Sequence, residues 1–304
     1  MKWRIIVIMI CFPVSYLYSQ TKSIAINNLK MAYKTFGLET RKANEPVIVF
    51  ESGLGSGGGN FEPLFPHLPK NITGFIYDRN GLRESAIDTT VKTDADVVKR
   101  LHDLLSALKI APPYILIGHS IGGAFIRLYA ANYPAEVSGL LFIDPTDFML
   151  TKEEDLQVKK STSSVTGYQD IWTINLTGML KDTAMPVGMR HEFKRASAES
   201  TPTFFKNYTS LPPLKDIPVT VLIAYNKRIE PYETEMNAKL KLGINIKPWW
   251  AALDRLRITH YATLIKDNHD SRLVLLPGYS HGIHHQDPKL VADAIVDVYE
   301  RCVK

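Results

Sequence analysis

Between Tyr114 and Phe125 the sequence reads YILIGHSIGGAF. Four apolar residues with the length and branching of a buried strand run into His119 and Ser120, set among glycines, and from Ala124 onward the apolar spacing becomes helical. A chain that passes from strand to helix within so few residues turns very tightly and leaves little room for side chains. Gly118 and Gly122 supply that room and match the pattern G-x-S-x-G, in which a strained turn lifts a serine hydroxyl clear of the sheet. Ser120 is therefore the candidate nucleophile. The competing explanation, that small residues merely let a helix pack closely on a strand, is outweighed because the motif's required strand and helix both flank it.

The rest of the chain repeats the alternation. Ser23 to Gly37 reads as two short strands around the turn Asn27-Asn28, and a polar loop follows through Glu45. PVIVFE (46–51), TGFIYD (73–78), YILIG (114–118), GLLFID (139–144), PVTVLIA (218–224) and SRLVLLPG (271–278) are near-continuous apolar runs, as expected of strands buried on both faces of a parallel sheet. The clearest helix between them is TDADVVKRLHDLLSALKI, where Val97, Leu101, Leu104, Leu105 and Leu108 form one stripe and Thr93 or Asp94 is placed to cap it. The expected fold is α/β, a doubly wound, mostly parallel sheet of about eight strands with its binding crevice at the carboxyl ends of the strands.

Two stretches break the alternation. Residues 148–216 carry no strong strand and are too long for a bare loop, so they are expected to form a helical cap inserted after the sixth strand, with residues 20–147 and 217–304 as the core. Met179, Met185, Met189, Phe204 and Phe205 in that stretch suit either an apolar pocket or the cap's own core. The second, Pro231 to His269, contains an aromatic helix whose Trp249 and Trp250 either close the pocket or pack in the core.

The chain has 304 residues, ordinary apolar and charged fractions and a formal charge of +5. Residues 1–19 read as a secretory signal peptide, with Lys2 and Arg4 before the apolar run Ile5 to Val14 and a cleavage point after Ser19. That run is short for a membrane span and contains Pro13, and Ile10 is a poor neighbour for a lipidated Cys11. The expectation is an exported protein, periplasmic or secreted, with no membrane attachment once the leader is removed. Cys302 would then be the single remaining thiol, which excludes an internal disulfide and a cysteine metal cluster. Paired cations such as Lys159-Lys160 and Lys227-Arg228 are not interleaved with aromatic residues, so nucleic-acid binding is not expected. The N-x-S/T triplets at Asn71, Asn175 and Asn207 matter only on a eukaryotic secretory route.

A serine needs a base, and the base needs a third group to orient it. His281 stands directly after the last apolar run, in LLPGYSHGIHHQDP. His284 and His285 invite a metal reading of the form H-x-x-H-H, but no acidic residue accompanies them at ligand spacing. His119 is assigned to shaping the turn beside Ser120.

FESGLGSGG, YDRNGLRES, GHSIGG and SHGIHHQDP, each following a strand, together resemble the alpha/beta-hydrolase fold family, in its serine hydrolase or esterase-like branch, from Ser23 to the C-terminus. The resemblance implies an oxyanion hole formed by the backbone N–H groups of Leu54 and Ile121, and a base after the eighth strand, which is His281. Asp78 and Arg79 would buttress the loop after the fourth strand. The acid departs from the common pattern, because Lys227 occupies its usual place after the seventh strand. Asp144, ending the sixth strand before Pro145, is the preferred substitute, and Glu230 is the alternative. The implied activity is cleavage of a small-molecule carboxylic ester through an acyl-enzyme, without metal or cofactor. An amidase or aminopeptidase, or a non-catalytic binding protein on the same fold, are the competing readings. Epoxide hydrolases and haloalkane dehalogenases need an aspartate where Ser120 stands.

Overall fold

The computed structural model describes residues 20–304; the leader reading, with Cys11, lies outside the described residues. β1 (Lys22–Ile26) and β2 (Leu29–Phe36) form a hairpin whose turn residues Asn27 and Asn28 both take positive φ, 52° and 64°, as a tight primed turn requires. β3 (Val47–Glu51), β4 (Thr73–Tyr77), β5 (Tyr114–His119), β6 (Val137–Ile143), β7 (Val219–Tyr225) and β8 (Ser271–Pro277) complete one sheet in the order β1-β2-β4-β3-β5-β6-β7-β8. β2 pairs antiparallel with β1 and β4, and all other pairings are parallel.

Alternate residues of the central strands enter two separate cores. Val47, Val49, Leu116, Leu140 and Phe142 face one layer, where α1 (Asp94–Ala107) and α2 (Ile121–Asn132) pack. Ile48, Phe50, Ile115, Ile117, Leu141 and Ile143 face the other, built by α9 (Pro288–Cys302) and the 3-10 segment Gly58–His67. Both faces being covered explains why these strands read as unbroken apolar runs. β8 differs: it is the sheet's edge, and Leu273, Val274 and Leu275 stay partly open to solvent. Its apolar sequence suggested burial on both faces, but it has a neighbour on one side only. Thr93 caps α1 in a reciprocal bond pair with Asp96, and Val97, Leu101, Leu104 and Leu105 are its buried stripe.

Between β6 and β7 lie α3 (Lys152–Ser161), α4 (Tyr168–Leu180) and α5 (Val187–Glu199). Buried polar ties join this segment to the sheet side: Arg79 meets Glu192 of α5 at 2.5 Å, Arg195 pairs with Asp94 of α1, and the Tyr208 hydroxyl donates to Asp94 at 2.8 Å. Arg79 and Arg195 also both pack on the Phe125 ring of α2, at 5.4 and 5.0 Å from its centroid. Between β7 and β8 lie α6 (Pro231–Lys239) and α7 (Ile246–Ile265); α8 (Ile283–Gln286) precedes α9. Among the described residues no helix is long and apolar enough to cross a membrane.

Candidate active site

Ser120 sits between β5 and α2 with φ 56° and ψ −124°, a conformation that costs free energy for a non-glycine residue and that the surrounding bonds enforce. Its N–H donates to Ile143 of the neighbouring strand, and its carbonyl accepts from Gly123 and Thr146. The glycines flanking it are steric necessities. A Cβ on Gly118 would stand 2.5 Å from the Gly122 carbonyl oxygen, and one on Gly122 would stand 2.2 Å from that of Glu51.

Asp144 follows β6 directly and is buried. Its Oδ2 lies 2.6 Å from His281 Nδ1, while Oδ1 accepts from the Ala224 N–H at 2.9 Å and meets Arg257 Nη1 at 2.9 Å. Burial alone would raise the pKa of this carboxyl, but the Arg257 charge and the bonds from His281 and Ala224 outweigh it and bring it to about 2. An ionised carboxylate only accepts, so His281 Nδ1 is the donor of this bond, and in the neutral imidazole that leaves Nε2 as the acceptor. His281 and Ser120 line the same cavity.

Gly53 brings the loop after β3 against this pair: a Cβ there would lie 3.4 Å from Ser120 Cβ and 3.1 Å from His119 Nδ1. Leu54 follows it, and Ile121 opens α2, where the first N–H groups have no partner within the helix. The loop is pinned from below. Asp78 accepts from the N–H groups of Gly58 and Glu84, and Arg79 donates to the carbonyls of Ser52 and Gly53.

The cavity holds about 310 Å³. Ser120, Asp144 and His281 form its floor, and Leu150, Ile171, Trp172, Met236, Trp250 and Leu253 supply its apolar wall. α4 presents Tyr168, Ile171, Trp172 and Asn175 to it, residues that share one helix face by spacing. Of the apolar candidates named from sequence, Phe204 and Phe205 belong to the buried core, and none of Met179, Met185 or Met189 lines the cavity. The tryptophan pair divides: Trp249 is core, Trp250 is wall.

Lys227 is part of that wall and has other work than orienting a histidine. Its ammonium lies 3.4 Å from the Trp250 ring centroid and 3.7 Å from Glu233, which also accepts the Trp250 indole N–H at 2.9 Å. Glu230 stands at the start of α6, where its N–H donates to Glu233, outside the residues lining the cavity.

The remaining histidines are held locally. His119 Nε2 donates to the backbone carbonyl of His281 at 3.0 Å, so it ties the nucleophile's strand to the loop of the base, and burial holds its pKa down at about 3. His284 is fully buried; Asn60 donates to its Nε2 at 2.8 Å and accepts from His285 Nε2 at 2.9 Å. Among the described residues no group of three or more His, Cys, Asp and Glu side chains is placed to hold a metal ion.

Sequence reasoning missed two features. Arg257, on the carboxylate of Asp144, is one cation on a long helix and carries no motif. His260 is clamped between Asp147 at 2.8 Å and Glu154 at 3.0 Å, a contact between residues more than a hundred positions apart.

A serine on a strained strand-to-helix turn, above a doubly wound sheet and beside a histidine–aspartate pair, is the arrangement of the alpha/beta hydrolase fold. The sequence matches the alpha/beta hydrolase fold family over residues 46–288, and the chain belongs to that family. The uncharacterised protein YqjL of Bacillus subtilis is 25% identical over 270 residues, which cover 87% of this chain and 88% of that protein. Human monoacylglycerol lipase ABHD6 is 30% identical over 114 residues, 36% of this chain and 33% of its own length, so the match spans about a third of that relative. Among solved structures, a thermophilic esterase from Thermogutta terrifontis superposes with a TM-score of 0.59 at 14% identity, covering 93% of this chain and 99% of its own. At that identity the likeness is one of fold.

Proposed function

We propose that the protein is an exported serine hydrolase that cleaves a carboxylic ester through an acyl-enzyme intermediate. The observation that carries this reading is the strained Ser120 sharing one cavity with the free Nε2 of His281, whose other nitrogen is bonded to an ionised Asp144. Ser120 Oγ attacks the ester carbonyl as His281 Nε2 takes its proton, and the N–H groups of Leu54 and Ile121 hold the oxyanion. Collapse of the tetrahedral species breaks the ester C–O bond, and the imidazolium returns the proton to the leaving alcohol. Water, activated by the same histidine, then releases the acid. Asp144 keeps the imidazole in the right tautomer and offsets its positive charge. Residues 148–216 act as the cap, and the wall of α4 receives the acyl chain. No metal or cofactor takes part.

A relative named as a monoacylglycerol lipase supports ester chemistry in this family. The test is turnover of p-nitrophenyl esters from acetate to laurate by the protein and by Ser120→Ala, together with fluorophosphonate labelling. Turnover and labelling lost in Ser120→Ala are the expected result. A folded protein that neither turns over esters nor takes the label would overturn the reading, and amide turnover alone would replace it with an amidase. Export predicts a mature N-terminus at Gln20, checked by mass spectrometry of the protein recovered outside the cytoplasm.

A further inference from the structure

Arg79 is 2% exposed, and all three nitrogens of its guanidinium are engaged. Nη1 donates to Glu51 at 2.7 Å and to the Ser52 carbonyl at 2.6 Å; Nη2 donates to the Gly53 carbonyl at 2.6 Å and to Glu192 at 2.5 Å, and Nε reaches Glu192 as well. A buried arginine needs one counter-charge; this one has two, and it spends its remaining donors on consecutive carbonyls of the loop beside Ser120. The second carbonyl is the informative one. The C=O of Gly53 and the N–H of Leu54 belong to one planar trans peptide and point in opposite directions, so a guanidinium fixed on the oxygen fixes the aim of the N–H. A charged donor on the oxygen also polarises the amide and strengthens its N–H as a donor. The same oxygen accepts from Ser56 at 3.1 Å, which closes the turn around Gly55.

We propose that Arg79 is the positioning residue for the oxyanion donor at Leu54, and that Glu192 of α5 holds Arg79 in that geometry, so that seating of the inserted helices completes the oxyanion site. This rests on the hydrolase reading of Ser120. Both carboxylates hold Arg79 charged against the opposing effect of burial, so its grip persists across the working pH range. An arginine that served only to neutralise Glu51 and Glu192 would matter for folding alone.

The experiment separates these roles. For wild type, Arg79→Lys and Glu192→Gln, kcat and KM are measured on the best p-nitrophenyl ester, with Tm and with Ki for a trifluoromethyl ketone of the same acyl chain. That ketone adds reversibly to the serine and places an oxyanion where the tetrahedral intermediate has one. In Arg79→Lys, which keeps charge but loses the fork, kcat is expected to fall about a hundredfold with KM changed less than about threefold, and Ki to rise by the same factor as kcat falls. Glu192→Gln is expected to lose about tenfold in both. A folded Arg79→Lys that keeps kcat and Ki within about twofold of wild type overturns the proposal while leaving the hydrolase reading intact; if that variant does not fold, Glu192→Gln decides by the same criterion. A wild-type protein that neither hydrolyses esters nor binds the ketone overturns the hydrolase reading, and this proposal with it.

Discussion

Arg257 Nη1 meets Asp144 on the carboxylate oxygen that His281 does not use, at 2.9 Å. The acid is therefore gripped from both sides, and its partner comes from α7, far along the chain. Arg257 is itself fixed by the Ala224 carbonyl at 2.8 Å and by Asp254 at 3.2 Å.

Arg257→Gln is expected to lower stability by about 3–5 kcal/mol, because it leaves a buried carboxylate without its cation. The pH dependence has a definite sign. Asp144 is depressed from 3.8 to about 2, so its contribution is present above pH 3.8 and is lost as the pH falls through 2. In the variant the Asp144 carboxyl is less depressed, so less stability is lost over that interval, which thermal melts across the acid range would register as a shallower decline. Equal acid sensitivity in both proteins would refute the role given to Arg257.

Asp144→Asn is expected to reduce kcat about 10³- to 10⁴-fold, since an amide at this position favours the wrong imidazole tautomer. Glu230→Gln should change kcat by less than about twofold, as that side chain lies outside the cavity. Steady-state kinetics on one ester decides between them, and a large loss confined to the glutamate variant would reassign the acid.

Trp172→Ala opens the wall formed by α4, so the preferred acyl length is expected to move toward longer chains while Tm changes modestly. Phe205→Ala removes a ring that is 1% exposed and should show the reverse pattern. Its stability should drop by about 3–5 kcal/mol with the chain-length preference unchanged. The p-nitrophenyl ester series, run beside calorimetry, tests both.

His260 is raised from 6.5 to about 9: burial opposes its charge, but bonds to Asp147 and Glu154 prevail. A raised histidine stabilises fully below pH 6.5, and its contribution disappears as the pH rises through 9. Tm should therefore decline over that interval, and His260→Gln should flatten the decline. A wild-type Tm that is level from pH 6.5 to 9.5 would contradict the clamp.

How much of this was legible in the sequence depended on whether the information was local. The hairpin at Asn27-Asn28, the α1 cap at Thr93 and the strained elbow are written in adjacent residues, because each is a backbone requirement met within one turn. The central strands were readable because burial on both faces leaves an unbroken apolar run. β8 has the same composition at the edge of the sheet, and composition does not report the number of neighbours. Asp144 emerged from its place at the end of β6, yet nothing in KPWWAALDRLRITHYATLI marks Arg257 as its partner. The sequence left Phe204 and Phe205 open between cavity wall and cap core because they share their chemistry with Ile171 and Trp172, and only the orientation of α4 separates them.

Consider finally the buried pairs that join α5 and its neighbours to the sheet side, Glu192 with Arg79 and Arg195 with Asp94. Segments inserted at this point of a fold are attractive units for exchange between relatives when a new specificity is wanted. Here a transplant of residues 148–216 would strand Arg79 in the interior with one of its two counter-charges gone, and Asp94 without its ion-pair partner Arg195. The inserted helices and the core are thus one inheritance, and a successful chimera must carry Asp94 and Arg79 as passengers along with the segment itself.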